Sequence, residues 1–300
     1  MAALLNKGKK KDSEMSFLEH LEELRWHIIR AVIAIFVFMI TAFIFSDIIF
    51  DKIILAPRFP DFITARLLCK LGGLVNLDAL CINRGDWTLI NINMSGQLTT
   101  QIVVSLVSGL ILAFPVVLWE LWNFFQPALK PNEAKYAKGA VFASSMLFFI
   151  GVSFGYFALA PLSIHFLSGW QVSADVANQI NIRSYIGTIT SICLATGLIF
   201  ELPIIAFFLT KVGIITPQFL KTYRRHAIVV VFVVAAIITP PDVFSQILVA
   251  IPLLLLYEAS IIISAKVMKQ KEKDSEAFMN DETPSSDTSI IPSSNEVVHQ

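Results

Sequence analysis

YIGTITSICLATGLIFELPIIAFFLT, residues 185–210, is the stretch on which the fold turns. It holds 26 residues, and its one ionisable carboxylate is Glu201. About 20 residues of helix already cross a bilayer core, so a run this long and apolar calls for hydrocarbon around it. A carboxylate near the middle of that core costs on the order of 3 kcal/mol. Pro203 follows two residues later and lacks an N–H, which frees a carbonyl one turn back. An acid and a helix breaker at the same depth predict a polar pocket inside a membrane protein.

Composition and patterning extend that reading. Hydrophobic residues make up 55% of the chain and charged ones 15%, a balance that excludes a soluble globular domain. Six apolar blocks stand out, at residues 26–45, 98–119, 139–160, 185–210, 227–239 and 244–264. The first four are free of charge except for Arg30 and Glu201, and the sixth carries Pro252 and Glu258. The fifth has 13 residues, roughly 20 Å of helix against a core of about 30 Å. Closed off by Arg224, Arg225 and Pro240–Pro241, it predicts a short span, with a re-entrant hairpin of blocks five and six as the alternative. The expected fold is all-α, a polytopic protein of six transmembrane helices.

Lys and Arg set the orientation. Six lie in residues 1–30, three in the second inter-block loop, four in the fourth and four in the tail. The remaining loops share six, five of them in the first loop beside five Asp. Both termini are therefore expected in the cytoplasm: 1–25 as a segment with an amphipathic helix, 26–264 as the membrane domain, 265–300 as a disordered tail. The long loop 47–97 falls outside. Trp26, Trp119 and Trp122 are expected in the cytoplasmic aromatic belt and Trp170 in the opposite one. Glu258, eight residues from Lys266, is expected to snorkel to the surface. The first block starts too late and lacks a cleavage site, so it is read as a retained anchor. Cys69 and Cys81 share the outer loop, either as free thiols or as a disulfide stabilising by roughly 3 kcal/mol. Cys193 reads as a packing residue.

Two cytoplasmic segments gather carboxylates. In MSFLEHLEELRWHII (15–29), Ser16 and Glu19 form a capping box and Phe17, Leu21, Leu24 and Ile28 make an apolar stripe. Glu19, Glu22 and Glu23 cover the other faces, although basic residues are the usual choice beside anionic lipids. In LWELWNFFQPALKPNEAKYAK (118–138), Glu133 follows Pro131 and Asn132 at the start of the third span. One reading has Asn132 capping that helix and Glu133 complementing its positive end. The other makes Glu133 and the N-terminal glutamates two carboxylate stations for a ligand with neighbouring guanidinium groups.

SFLEHLEELR, FPVVLWELWNFFQPALKPNE, GLIFELPI and ITPPDVFSQILVAIPLLLLYE together resemble, in content and order, the TatC family. That family is the multispanning signal-receptor subunit of the twin-arginine protein translocase, and the resemblance covers residues 15–264. It implies that Glu23 and Glu133 recognise the twin-arginine motif of signal peptides, with Arg25, Phe124 and Glu22 beside them. It implies that Glu201, with Pro203, sits in an intramembrane pocket where single-span TatA/TatB-type subunits dock. Pro57, Asp242 and Gln246 match further motif positions, while the region around 66–86, with both loop cysteines, looks like an insertion. The implied setting is the bacterial cytoplasmic (inner) membrane, in a higher-order oligomer within the lipid bilayer. The proton-motive force as energy source is likewise implied. No cofactor, metal or nucleic acid is implied, and no enzymatic activity.

Rival classes find less support in the residues. A proton-coupled secondary transporter of a small solute also places a carboxylate beside a proline at membrane depth, but no internal repeat is visible. An intramembrane protease needs a nucleophile and base or a metal, and all five His lie outside or at the ends of the apolar blocks. No P-loop or GxGxxG is present. The G-x-x-x-G of Gly151 and Gly155 is a helix-packing signal.

Overall fold

A computed structural model of the chain describes residues 17–75, 81, 88–125, 137–173, 175–176, 178–239 and 243–281. Among the described residues five helical stretches are long and apolar enough to cross a bilayer: Leu21–Ile44, Gly96–Phe124, Gly139–Gly169, Ile182–Val212 and Gln246–Lys273. With so many apolar crossings the chain is a multi-pass membrane protein. The outward faces agree: Val32, Ile33, Phe36, Val37 and Ile40 of the first helix are all exposed, as residues in contact with lipid are.

α1 (Phe17–Ile44) and α4 (Gly96–Phe125) lie antiparallel. Glu120 near the end of α4 meets His27 near the start of α1, and Gln101 meets Ser46 at the opposite ends. Gly109 sets how close they come, because a β-carbon there would lie 2.6 Å from the Met39 nitrogen. The amphipathic segment and the first span form one unbroken helix, so the division at residue 25 is not an element boundary. Nothing within 17–44 is a proline or glycine, and the two stretches continue in one register. Of the capping box, Ser16 and the Glu19 side chain lie outside the described residues.

Between α1 and α4 run α2 (Ser46–Ile48), a π-helical turn (Ile49–Ile54), a 3-10 turn (Ala56–Arg58) holding buried Pro57, and α3 (Ile63–Val75). Cys69 and Cys81 are joined by a disulfide, Cα to Cα 4.2 Å. The Tyr156 and Tyr185 hydroxyls donate to the Ile53 and Ile54 carbonyls (2.7 and 2.9 Å), pinning the π turn onto the bundle.

α5 (Ala137–Phe154) passes through a π-helical turn, Gly155–Leu159, into α6 (Ala160–Gly169). Pro161 explains the irregularity. It supplies no N–H to the Phe157 carbonyl one turn back, and the Thr64 hydroxyl of α3 donates to that carbonyl instead. Gly151 and Gly155 pack against α7 (Ile182–Ile199) and the turn after it. A β-carbon at 155 would fall 2.3 Å from Thr196 Oγ1, and one at 151 would fall 2.8 Å from the Phe200 side chain. The G-x-x-x-G pair therefore acts as the packing signal it resembles.

The 185–210 run is two helices. α7 stops at Ile199 and α8 (Leu202–Val212) starts beyond Glu201, with Pro203 at the second position of the new helix. α8 ends on Gly213 at φ 91°, where the left-handed conformation lets the Gly213 N–H reach the Leu209 carbonyl at 3.1 Å. α9 (Pro217–Thr222), capped by Thr216, leads to α10 (Arg224–Ile238). The 15 residues of α10 make about 22 Å of helix, short of a bilayer core as the sequence predicts.

α11 (Val243–Asp281) continues well past Ser264, so residues 265–281 of the expected disordered tail are helical, and 282–300 lie outside the described residues. Lys, Glu, Met and Ala are good helix formers, and residues 265–281 contain no Pro or Gly. One further expectation changes. Trp122 turns inward, 7% exposed and 4.5 Å from the Phe208 ring, while Trp26 and Trp119 remain exposed. Glu258 keeps a partly exposed side chain and meets Arg224 Nε at 2.5 Å. The all-α architecture also carries one small addition, Leu89–Ile90 (β1) paired in parallel with Ile180–Asn181 (β2). Two loops on the same side satisfy each other's backbone groups there.

Candidate functional site

Two places hold ionisable side chains where an apolar bundle has little reason to keep them. The first is the α1–α4 end. Glu23 is half-buried, and its Oε2 is shielded with no hydrogen-bond partner among the described residues. One helical turn on, His27 Nδ1 lies 2.6 Å from Glu120 Oε2, and Arg30 approaches the same oxygen at 3.7 Å. An ionised carboxylate accepts only, so the His27 Nδ1–H donates. The Phe124 ring, four residues after Glu120, stands edge-on to His27 with centroids 6.4 Å apart. Helical spacing creates this cluster, since Glu23/His27 and Glu120/Phe124 are each an i,i+4 pair. Glu22 and Arg25 are exposed on other faces of α1. Glu133 lies outside the described residues.

His27 and Glu120 went unread in the sequence as site residues. The signal was present: both sit one turn from a residue already singled out, Glu23 and Phe124.

The second place is Glu201. Its backbone carbonyl starts α8 by accepting from the Ile204 and Ile205 N–H groups (3.0 and 2.9 Å). Its side chain is 7% exposed. Oε2 accepts from the Ser144 hydroxyl of α5, and Oε1 is buried with no partner among the described residues. Pro203 is buried beside it. An unpartnered acceptor oxygen in an apolar interior costs roughly 1–3 kcal/mol or more, so half of this carboxyl group lacks the partner its position demands. Further along α8, Thr210 and Ser264 of α11 hydrogen-bond at 2.7 Å, a pair fully satisfied within the bundle.

Of the other motif positions, Gln246 Nε2 donates to the Phe232 carbonyl at 3.2 Å, tying α11 to α10. Asp242 lies outside the described residues. No cluster of three His, Cys, Asp or Glu able to hold a metal occurs among the described residues.

Known proteins of one family resemble this chain. The family model described as Sec-independent protein translocase protein (TatC) matches residues 19–252. A Sec-independent protein translocase protein TatC from Blattabacterium sp. subsp. Periplaneta americana is 39% identical over 265 residues, 88% of this chain and 100% of that one. The TatC protein of Aquifex aeolicus is 33% identical over 261 residues, 87% of this chain and 98% of that one. A crystal structure of the twin arginine translocase receptor TatC in DDM superposes with a TM-score of 0.65 at 34% identity, covering 82% of this chain and 99% of that one.

Proposed function

The chain belongs to the TatC family of Sec-independent protein translocase proteins, and on that premise we propose that it is the receptor for twin-arginine signal peptides of folded cargo. The chain is thus a component of a protein transport system. The observation that carries the finer reading is the shielded, unpartnered Oε2 of Glu23 beside the Glu120–His27–Phe124 cluster. A guanidinium fork supplies the N–H donors such a carboxylate lacks, with an aromatic face nearby for its plane. Glu133 provides the second carboxylate station, so that two adjacent arginines each find one.

In this reading both termini lie in the cytoplasm, α10 is a short fifth span among six, and the membrane is the bacterial inner membrane. Single-span TatA/TatB-type subunits dock at Glu201, where a partner's polar side chain satisfies the second carboxyl oxygen, and several copies assemble around them. The half-satisfied state of Glu201 supports this, because a purely structural glutamate in hydrocarbon has reason to bond both oxygens.

The test is co-purification of the full chain with a synthetic twin-arginine signal peptide, against the same peptide with both arginines changed to lysine. Retention of the arginine peptide and loss of the lysine peptide is expected, since an ammonium is a point charge without the planar fork. Equal retention of the two would overturn the reading.

A further inference from the structure

On the side of the bundle carrying residues 46–75, a cavity of about 1080 Å³ is walled by α4, the π turn after α5, and α7. Val107, Val152 and Ile189 line it, and the segment 49–63 forms its roof. Its lining is dominantly apolar, and Ile53, Phe59, Leu112 and Phe157 at its border are themselves exposed. The cavity therefore opens sideways onto surface that this multi-pass chain turns toward hydrocarbon.

Its contents are constrained by volume and by charge. Water gains little among so few polar partners. Taking a methylene at about the volume of a water, near 30 Å³, the space holds about 36 of them, which is two long acyl chains. Charge enters only at the roof, through Asp51, Lys52 and Asp61. Asp61 is engaged by Arg66 at 3.1 Å, so neighbouring Asp51 and Lys52 present one charge of each sign at the mouth. That pattern complements a zwitterion, with the phosphate toward the ammonium and an amine toward the carboxylate.

We propose that this cavity is a site for one zwitterionic diacyl phospholipid from the leaflet on that side, its chains between α4 and α7 and its head group at Asp51 and Lys52. The lipid fills a void that otherwise leaves α4 and α7 without dispersion partners beneath the roof. The inference needs only a chain that spans a bilayer, and is independent of the signal-peptide reading.

Native mass spectrometry of the detergent-purified full chain, after incubation with dioleoyl-phosphatidylethanolamine, tests it. The wild type is expected to keep one phosphatidylethanolamine per chain through washing. Ser153→Trp and Ser108→Trp, which place an indole in the cavity, should each reduce retention by about tenfold. Ser153 is an exposed lining residue, so that variant is expected to fold even where Ser108→Trp does not. Lys52→Glu should reduce retention severalfold, whereas Leu255→Trp, on exposed α11 surface outside the cavity, should leave it unchanged. Equal retention by the wild type and Ser153→Trp would overturn the site. Loss by Leu255→Trp as large as by Ser153→Trp would mark nonspecific surface lipid, and stronger retention of dioleoyl-phosphatidylglycerol would overturn the head-group assignment.

Discussion

His27 Nδ1 of α1 donates to Glu120 Oε2 of α4 across 2.6 Å, joining two helices whose residues lie 93 apart in the chain. Both side chains are more than four-fifths buried, at 13% and 14% exposure. This contact fixes the end of the helix pair that carries Glu23 and Phe124. Charge-assisted hydrogen bonds contribute about 1.5–3 kcal/mol. Glu120→Ala is expected to destabilise the detergent-solubilised protein by that amount, and His27→Ala by somewhat less because Arg30 still faces Glu120. A double-mutant cycle read by thermal unfolding should give a coupling of at least about 1 kcal/mol. Strict additivity would mean that the contact contributes nothing.

Peptide recognition makes a second prediction. Glu23→Ala and Glu133→Ala should each weaken twin-arginine peptide binding by roughly 10- to 100-fold, the loss of one charge-assisted station. Glu19→Ala, outside the proposed pair of carboxylate stations, should change it by less than about threefold. Titration of a fluorescent signal peptide into purified variants measures all three. Full affinity in the Glu23→Ala/Glu133→Ala double variant, with insertion intact, would remove the carboxylates from the site.

Gly155 supports a third. A side chain there must displace Thr196 Oγ1 and crowd the Cys193 Cα at 3.2 Å, and backbone cannot yield as a flexible side-chain end does. Gly155→Leu should separate the π turn from α7, lower the unfolding temperature and increase protease sensitivity near residues 155–160. Gly139→Leu, with nothing among the described residues within 4 Å of a β-carbon, is the matched control and should be silent.

How far these features were legible in the sequence depends on the length scale of the signal. Apolar runs of 20 or more residues announce themselves through composition, so the membrane class and the five long spans were readable. Pro203 was legible as a helix breaker, but the run was expected as one span, and its division at Phe200–Glu201 was not read. The His27–Glu120 contact was not readable, because antiparallel packing of α1 on α4 sets which faces meet, and periodicity within one helix does not. Trp122 shows the same limit: its place near a span end predicts an aromatic belt, but α4 turns that face onto Phe208. The first part of the tail, 265–281, was read as disordered because charge and polarity suggest it, whereas these residues inherit a helix already nucleated in the span and need only propagate it.

Topology gives a fourth prediction. In a background with Cys69, Cys81 and Cys193 replaced by serine, Ser95→Cys should react with a membrane-impermeant thiol reagent in intact cells. Ser275→Cys should react only after permeabilisation. Labelling of position 275 in intact cells would invert the orientation drawn from the Lys/Arg distribution.

The last prediction concerns Glu201 and Ser144. The carboxyl spends one oxygen on the Ser144 hydroxyl and keeps the other buried and unpartnered among the described residues. If Glu201 only braces α5 against the α7–α8 break, Ser144→Ala and Glu201→Leu should cause the same loss, because each removes that one contact. If Oε1 awaits a partner's polar group, the two variants separate. Ser144→Ala should retain assembly with a single-span subunit, since Oε1 survives. Glu201→Leu should abolish assembly, and Glu201→Gln, which keeps an acceptor and the shape, should retain part of it. Peptide binding at the α1–α4 end should persist in all three. Cross-linking yields from a photoreactive residue at position 202, exposed beside Glu201, to the single-span subunit provide the measurement. Equal yields for wild type, Gln and Leu variants would leave Glu201 as a helix-starting residue and nothing more.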